Sequence, residues 1–220
     1  MGNLFLKENL LTKALNRIVD CLYLSILWSA VSTPVVTAGM ASMALYYTVH
    51  KCIYGGEGHI GTTFWKAFWQ NWKQGCLLWL IMASIGLLMF SECYLTFQWC
   101  SAQLIHPAFF VVSLCVAGLL VMWLQFWFAY AARFEDSLKG VLRNSFLIAA
   151  ANFGPSFLLM VVFMMITLIV SCMPDPLLMW VIFPGLYGFA VHQTAERLFA
   201  KYLPQEEPER FPEEAEGRKR

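Results

Sequence analysis

Histidines, cysteines and acids near apolar runs are the residues of this chain that could do chemistry, and their spacing is poor for it. His50, His59, His106 and His192 are dispersed. None sits at ligand spacing from another, so each reads as an interfacial histidine rather than a metal ligand. Cys21, Cys52, Cys76, Cys93, Cys100, Cys115 and Cys172 form no CxxC and no Cys/His pattern of the zinc type. They read as small buried hydrophobes. Only Cys93, Cys100 and Cys172 are placed to face an oxidising exterior, where a disulfide among them is the minority alternative. No GxSxG, HExxH, Walker A or GxGxxG occurs, so hydrolase, metalloprotease and nucleotide-binding readings lack their usual anchors. Gly55-Gly56-Glu57-Gly58 is a flexible connector and does not match a phosphate loop. The expectation is a protein with no catalytic residues, no metal and no cofactor, and hence not an enzyme.

Two polar constellations remain. Asn16, Arg17 and Asp20 lie at i, i+1 and i+4 at the head of the first apolar run, and Arg17 with Asp20 can pair, making a carboxylate near hydrocarbon tolerable. An interfacial ion pair is the preferred reading over a gate. Ala38, Gly39, Ala41, Ser42 and Ala44 make the second run rich in small residues, with Ala38 and Ser42 at small-xxx-small spacing and Gly39 allowing close backbone approach. Helix packing is preferred there over a path lined by Thr37, Ser42, Tyr46 and Thr48 with Pro34 at its mouth.

The elements that must position these residues are dictated by composition. Of 220 residues 59% are hydrophobic and 13% charged, against roughly half and a quarter in a soluble domain. Lipid is therefore the expected solvent. A net charge of +1 gives no case for nucleic acid. Apolar sequence continues too far past Ile18 for a cleavable signal peptide, and Leu6 stands where a myristoylation signal wants Ser or Thr.

Apolar runs cover 18–32, 35–49, 75–90, 108–131, 144–171 and 177–191, with a kink expected at Gly154-Pro155. If the first two runs are separate spans joined by a tight turn at Ser32-Thr33-Pro34, all 15 Lys and Arg fall on the side of the N-terminus. Fusing those runs would scatter them over both sides. The positive-inside rule thus selects an all-α polytopic protein of six transmembrane helices in three hairpins, with both termini cytoplasmic. Residues 1–203 form this membrane domain. The charged tail 204–220 cannot bury enough apolar area to fold alone and is expected to be disordered.

Between the first and second hairpins, residues 62–74 read as a cytoplasmic interfacial helix. Phe64, Trp65, Phe68, Trp69 and Trp72 recur at helical spacing, opposite Lys66, Gln70, Lys73 and Gln74. Such a helix suits the headgroup level. Anchoring explains it first, and docking of a protein partner second. Lys66–Asn71 also matches Lys139–Asn144 at a spacing of 73 residues, with Lys13–Asn16 a shorter echo, which raises an internal repeat of basic lead-ins beside chance similarity.

Asn16-Arg17-x-x-Asp20, Pro34-Val35-Val36-Thr37-Ala38-Gly39 through Ala44-Leu45-Tyr46-Tyr47, and Phe64-Trp65-x-x-Phe68-x-x-Asn71-Trp72-Lys73-Gln74 together resemble the YesL-like family of bacterial multi-span membrane proteins, a domain of unknown function. Met1-Gly2-Asn3-Leu4-Phe5 resembles its usual start. The likeness covers roughly residues 1–200 and is most specific through Gln74. Family members are often encoded beside carbohydrate-uptake transporters and polysaccharide-degrading enzymes. The resemblance therefore implies an accessory or regulatory protein of the cell membrane, whose partners are the bilayer and a carbohydrate transporter permease or its cytoplasmic ATPase. It supplies no catalytic residues. The alternative is a small channel or carrier in its own right.

Overall fold

The computed structural model describes the backbone of residues 2–104, 106–172 and 176–202, and the side chains of residues 12, 15–104, 106–172 and 183–201. The tail expected to be disordered over 204–220 and the side chains of residues 1–5 lie outside them. Among the described residues the chain is all helical: α1 Gly2–Ser32, α2 Ala38–Thr48, α3 Ile60–Gln70, α4 Trp72–Ser101, α5 Pro107–Arg133, α6 Leu138–Ala151, α7 Phe153–Cys172 and α8 Pro176–Tyr202. A 3-10 turn, Val35–Thr37, precedes α2, and a π-helical stretch, Val49–Tyr54, continues it. Among the described residues three helices, α4, α5 and α7, are long and apolar enough to cross a membrane. Their outward faces carry large apolar side chains, such as Leu87, Leu88 and Phe90 on α4 and Leu158 and Leu168 on α7. Water would not tolerate so continuous an apolar surface; lipid does.

The first two apolar runs are distinct helices. The chain reverses at Pro34, where Pro cannot extend α1 and where the Thr37 hydroxyl donates to Pro34 O at 2.6 Å. After the reversal Trp28 Nε1 donates to Ser42 Oγ at 3.2 Å, tying α1 to α2. The second run is the centre of the bundle. Ala38–Ala41, Met43–Tyr46 and Thr48 are all buried, because α2 packs against α1, α3, α4, α5 and α8. A helix buried all round needs small residues where backbones meet. At Gly39 an added Cβ would lie 2.3 Å from Gly75 O and 2.6 Å from Trp79 Cβ, so α2 and α4 cross backbone to backbone there. Gly56 and Gly58, with φ of 68° and 77°, end the π stretch in conformations that residues with a Cβ rarely adopt.

Two helix breaks depart from the sequence reading, and they share one construction. The aromatic helix ends at Gln70, short of the expected 74, and Asn71 separates it from α4. Asn71 Nδ2 donates to Ala67 O at 2.8 Å, and Gly75 N donates to Asn71 O at 2.8 Å. Likewise the fifth apolar run breaks at Asn152, not at Gly154-Pro155. Asn152 Nδ2 donates to Ile148 O at 3.0 Å, and Ser156 N donates to Asn152 O at 3.2 Å. In both breaks that carbonyl also accepts the Asn backbone N–H at 3.2 Å, and the added side-chain bond is a local alternative to the helical ladder that accompanies the departure of Asn71 and Asn152 from helical φ/ψ. Pro155 then falls in the first turn of α7, where its missing N–H costs nothing. The repeated unit is thus short helix, Asn, long helix. Its register pairs Asn71 with Asn152, not with Asn144 as the sequence match at 73 residues implied. Asn144 is used inside the fold, donating to Tyr130 Oη at 2.8 Å and to Asp136 Oδ2 at 3.0 Å.

Candidate functional site

Where α2, α5 and α8 end together, ionisable side chains converge inside the bundle. Each of the three helices contributes. The Tyr46–His50–Tyr54 ladder comes from α2 and its π extension, Arg133 from the last turn of α5, and His192 with Glu196 from one face of α8. His192 and Glu196 are four residues apart, one helical turn. Tyr46, His50 and Tyr54 are separated by successive steps of four, which on a uniform α-helix would drift around the axis. An α turn of 3.6 residues makes such a step overshoot, while a wider π turn makes it fall short. The π stretch therefore holds all three rings over His192, with centroids 5.2, 5.3 and 4.4 Å from it respectively.

The polar contacts close on Glu196. Tyr46 Oη donates to its Oε1 at 2.8 Å. His50 Nδ1 lies 3.4 Å from the same oxygen, Arg133 Nε 3.7 Å and His192 Nε2 3.9 Å. His50 Nδ1 and His192 Nε2 face one another at 3.0 Å. His192 is 2% exposed, and its Nδ1 has no hydrogen-bond partner among the described residues. Both imidazoles and the carboxylate are thereby held in a partly water-excluded place. Tyr54 stacks on Phe189 at 5.3 Å, closing one side, and Arg17 lies over its outer face at 5.7 Å from the ring centroid. Nearby, burial pushes the Cys52 thiol up, with Thr63 and Lys51 opposing in part.

This convergence reverses the reading of the histidines as dispersed. Sequence spacing finds ligand sets carried by one element, and here the two rings come from α2 and α8, 142 residues apart. The available signal was weak: His192-x-x-x-Glu196 is an i, i+4 pair of ligand-capable residues on a single helix face. The other histidines have local roles. His106 caps α5 by accepting from Ala108 N at 3.2 Å, and His59 precedes α3.

The residues singled out from the sequence lie elsewhere. Among the described residues Arg17 pairs with the Tyr54 ring rather than with Asp20, which is half-buried one turn on. Pro34 and Thr37 make the α1–α2 turn, and Gly39 the contact with α4. The aromatic face of 62–74 is divided. The rings of Phe64, Trp65, Phe68 and Trp69 on α3 span an arc of about 140° at 100° per residue, wider than the bundle covers, and Trp72 follows the break as the first residue of α4. Phe64 and Phe68 are buried beside Ala67, while Trp65, Trp69 and Trp72 are 45%, 66% and 50% exposed. Lys66 and Lys73 are exposed with them, Lys73 Nζ lying 5.8 Å from the Trp72 ring centroid. All seven cysteines are free thiols.

Residues 21–93 match a family described as "Protein of unknown function, DUF624", consistent with the YesL-like resemblance of the sequence. No curated protein and no solved structure matches the chain.

Proposed function

We propose that this chain is an accessory protein of a carbohydrate-uptake system in the bacterial cell membrane, spanning it six times with both termini cytoplasmic, and that it contacts its transporter through the Trp65–Trp69–Trp72 face. The observation that carries this reading is the division of the aromatic helix. Phe64 and Phe68 already hold α3 to the bundle, so the three outward indoles are not needed to fix it. Trp is favoured at interaction hot spots as well as at headgroup level. The distribution of all 15 Lys and Arg supports a cytoplasmic position for that face, and the YesL-like resemblance supports the transporter. Pull-down from native membranes tests it. A transporter permease or its ATPase should co-purify, and Trp69→Ala with Trp72→Ala should deplete it. Undiminished recovery by the double variant removes the docking role.

The converging His50, His192, Glu196 and Arg133 side chains favour a second reading, a small carrier whose path passes the ends of α2, α5 and α8, since ionisable groups within a bundle often line one. Flux into liposomes that contain this protein alone distinguishes the two. Transport of a sugar or ion supports the carrier, and its absence across the tested solutes leaves the accessory role.

A further inference from the structure

We propose that His50 Nδ1, His192 Nε2 and Glu196 Oε1 form a binding site for a single zinc-class divalent transition-metal ion, which would clasp the π end of α2 to α8. The three atoms are the donor types that such an ion takes, two imidazole nitrogens and one carboxylate oxygen. Magnesium and calcium, which prefer oxygen ligands, are poor matches.

Their mutual distances suit one ion. The separations are 3.0, 3.4 and 3.9 Å. Together they fix a point about 2.0 Å from all three atoms, where zinc–nitrogen and zinc–oxygen bonds of about 2.0–2.2 Å are formed. All three ligand atoms lie within 4.8 Å of one another. An ion at that point needs no large movement of backbone, since both helices already hold the side chains there. Zinc commonly takes three protein ligands and leaves a fourth position open. Tyr46 Oη, 2.8 Å from Glu196 Oε1, borders that position, where it can hold a bound water or approach the metal.

The alternative to a metal is a shared proton. Two imidazole nitrogens 3.0 Å apart can hold one between them, with Glu196 accepting nearby. His192 Nδ1 is buried without a hydrogen-bond partner among the described residues, so the ring lacks the outer-shell bond that usually orients a metal-ligating imidazole, although its Nε2 stays available to an ion. Arg133 weighs against the ion. Its guanidinium lies 3.7 Å from the ligating oxygen, so it competes for Glu196 and repels a dication. That opposition makes a specific prediction, because removing the arginine charge should strengthen binding by a metal and would do nothing of the kind for a purely hydrogen-bonded cluster.

The test uses the full-length chain in detergent micelles, stripped with a chelator and titrated with zinc against a chromophoric competitor. Wild type should take up one zinc per chain. His50→Gln and Glu196→Gln should each weaken it at least about 100-fold, beyond the 10- to 100-fold typical of outer-shell losses, and Arg133→Gln should bind more tightly than wild type. X-ray absorption on the loaded wild type keeps the proposal falsifiable even where a variant fails to fold. It should report a nitrogen and oxygen shell near 2.0–2.1 Å, and a sulfur shell near 2.3 Å would instead place the ion on cysteines. Failure of wild type to bind, a sulfur shell, or full affinity in both ligand variants would overturn the site. None of these outcomes bears on the tryptophan face, whose role the pull-down decides.

Discussion

His50 Nδ1 and His192 Nε2 stand 3.0 Å apart across 142 residues of chain. The contact joins the π end of α2 to α8, where Glu196 is the common partner of Tyr46, His50 and Arg133. Removing that carboxylate should therefore cost more than one contact. Glu196→Ala leaves the buried Tyr46 hydroxyl without this acceptor and removes the contact between Arg133 and the carboxylate. A loss of about 1.5–3 kcal/mol is expected, the range for hydrogen bonds to charged groups. Glu196→Gln keeps an acceptor for Tyr46 and should recover part of it. Chemical or thermal unfolding in micelles measures both, and equal losses would show that charge rather than the hydrogen bond dominates.

The α2–α4 crossing is sensitive to single methyl groups. Gly39→Ala sets a Cβ 2.3 Å from Gly75 O, which the backbones can relieve only by separating, at about 1–3 kcal/mol. Gly86→Ala on the same α4 meets nothing within 4 Å and should leave the unfolding midpoint within experimental scatter. If the two variants unfold alike, the close crossing is not a determinant of stability.

Asn71 and Asn152 should act alike. Replacing either with Ala deletes a side-chain bond to the carbonyl four residues back, at about 1 kcal/mol each. The effect should be local as well. Amide exchange ought to change around 67–75 in one variant and 148–156 in the other, with no cross-talk. A change confined to one variant would mean that the two breaks only look equivalent.

Membrane sidedness is accessible through the native thiols. Cys172 is exposed at the last residue of α7 and Cys100 half-buried near the end of α4, while Cys52 lies in the π stretch; the proposed six-span arrangement sets Cys52 on the side away from the other two. An impermeant maleimide added to intact cells should label Cys100 or Cys172 and leave Cys52 untouched until the membrane is opened. Labelling of Cys52 from outside would overturn the six-span orientation.

Much of the fold was legible in the residues. Apolar runs of helical length, separated by Gly, Pro and basic clusters, dictate a helical membrane protein because nothing else satisfies the backbone in lipid. The separation of the first two runs followed from Lys and Arg. Gly39 announced a close helix contact by its size. The breaks were misplaced because Gly and Pro are the loudest local signals, whereas Asn71 and Asn152 break their helices only in company with a buried carbonyl partner. Aromatic spacing showed that 62–74 is helical. It could not show which edge of a wide aromatic arc the bundle would cover.

The ionisable cluster was the least legible. By itself the sequence determined the apolar solvent and the helices, since these depend on composition and on spacing within one element. Tertiary structure alone decided that His50 meets His192 and Glu196. That meeting depends on how α2 and α8 pack and on a π stretch that keeps Tyr46, His50 and Tyr54 in line, and neither follows from local periodicity. Helix packing is a relation between distant faces, fixed by the shapes of many small residues at once.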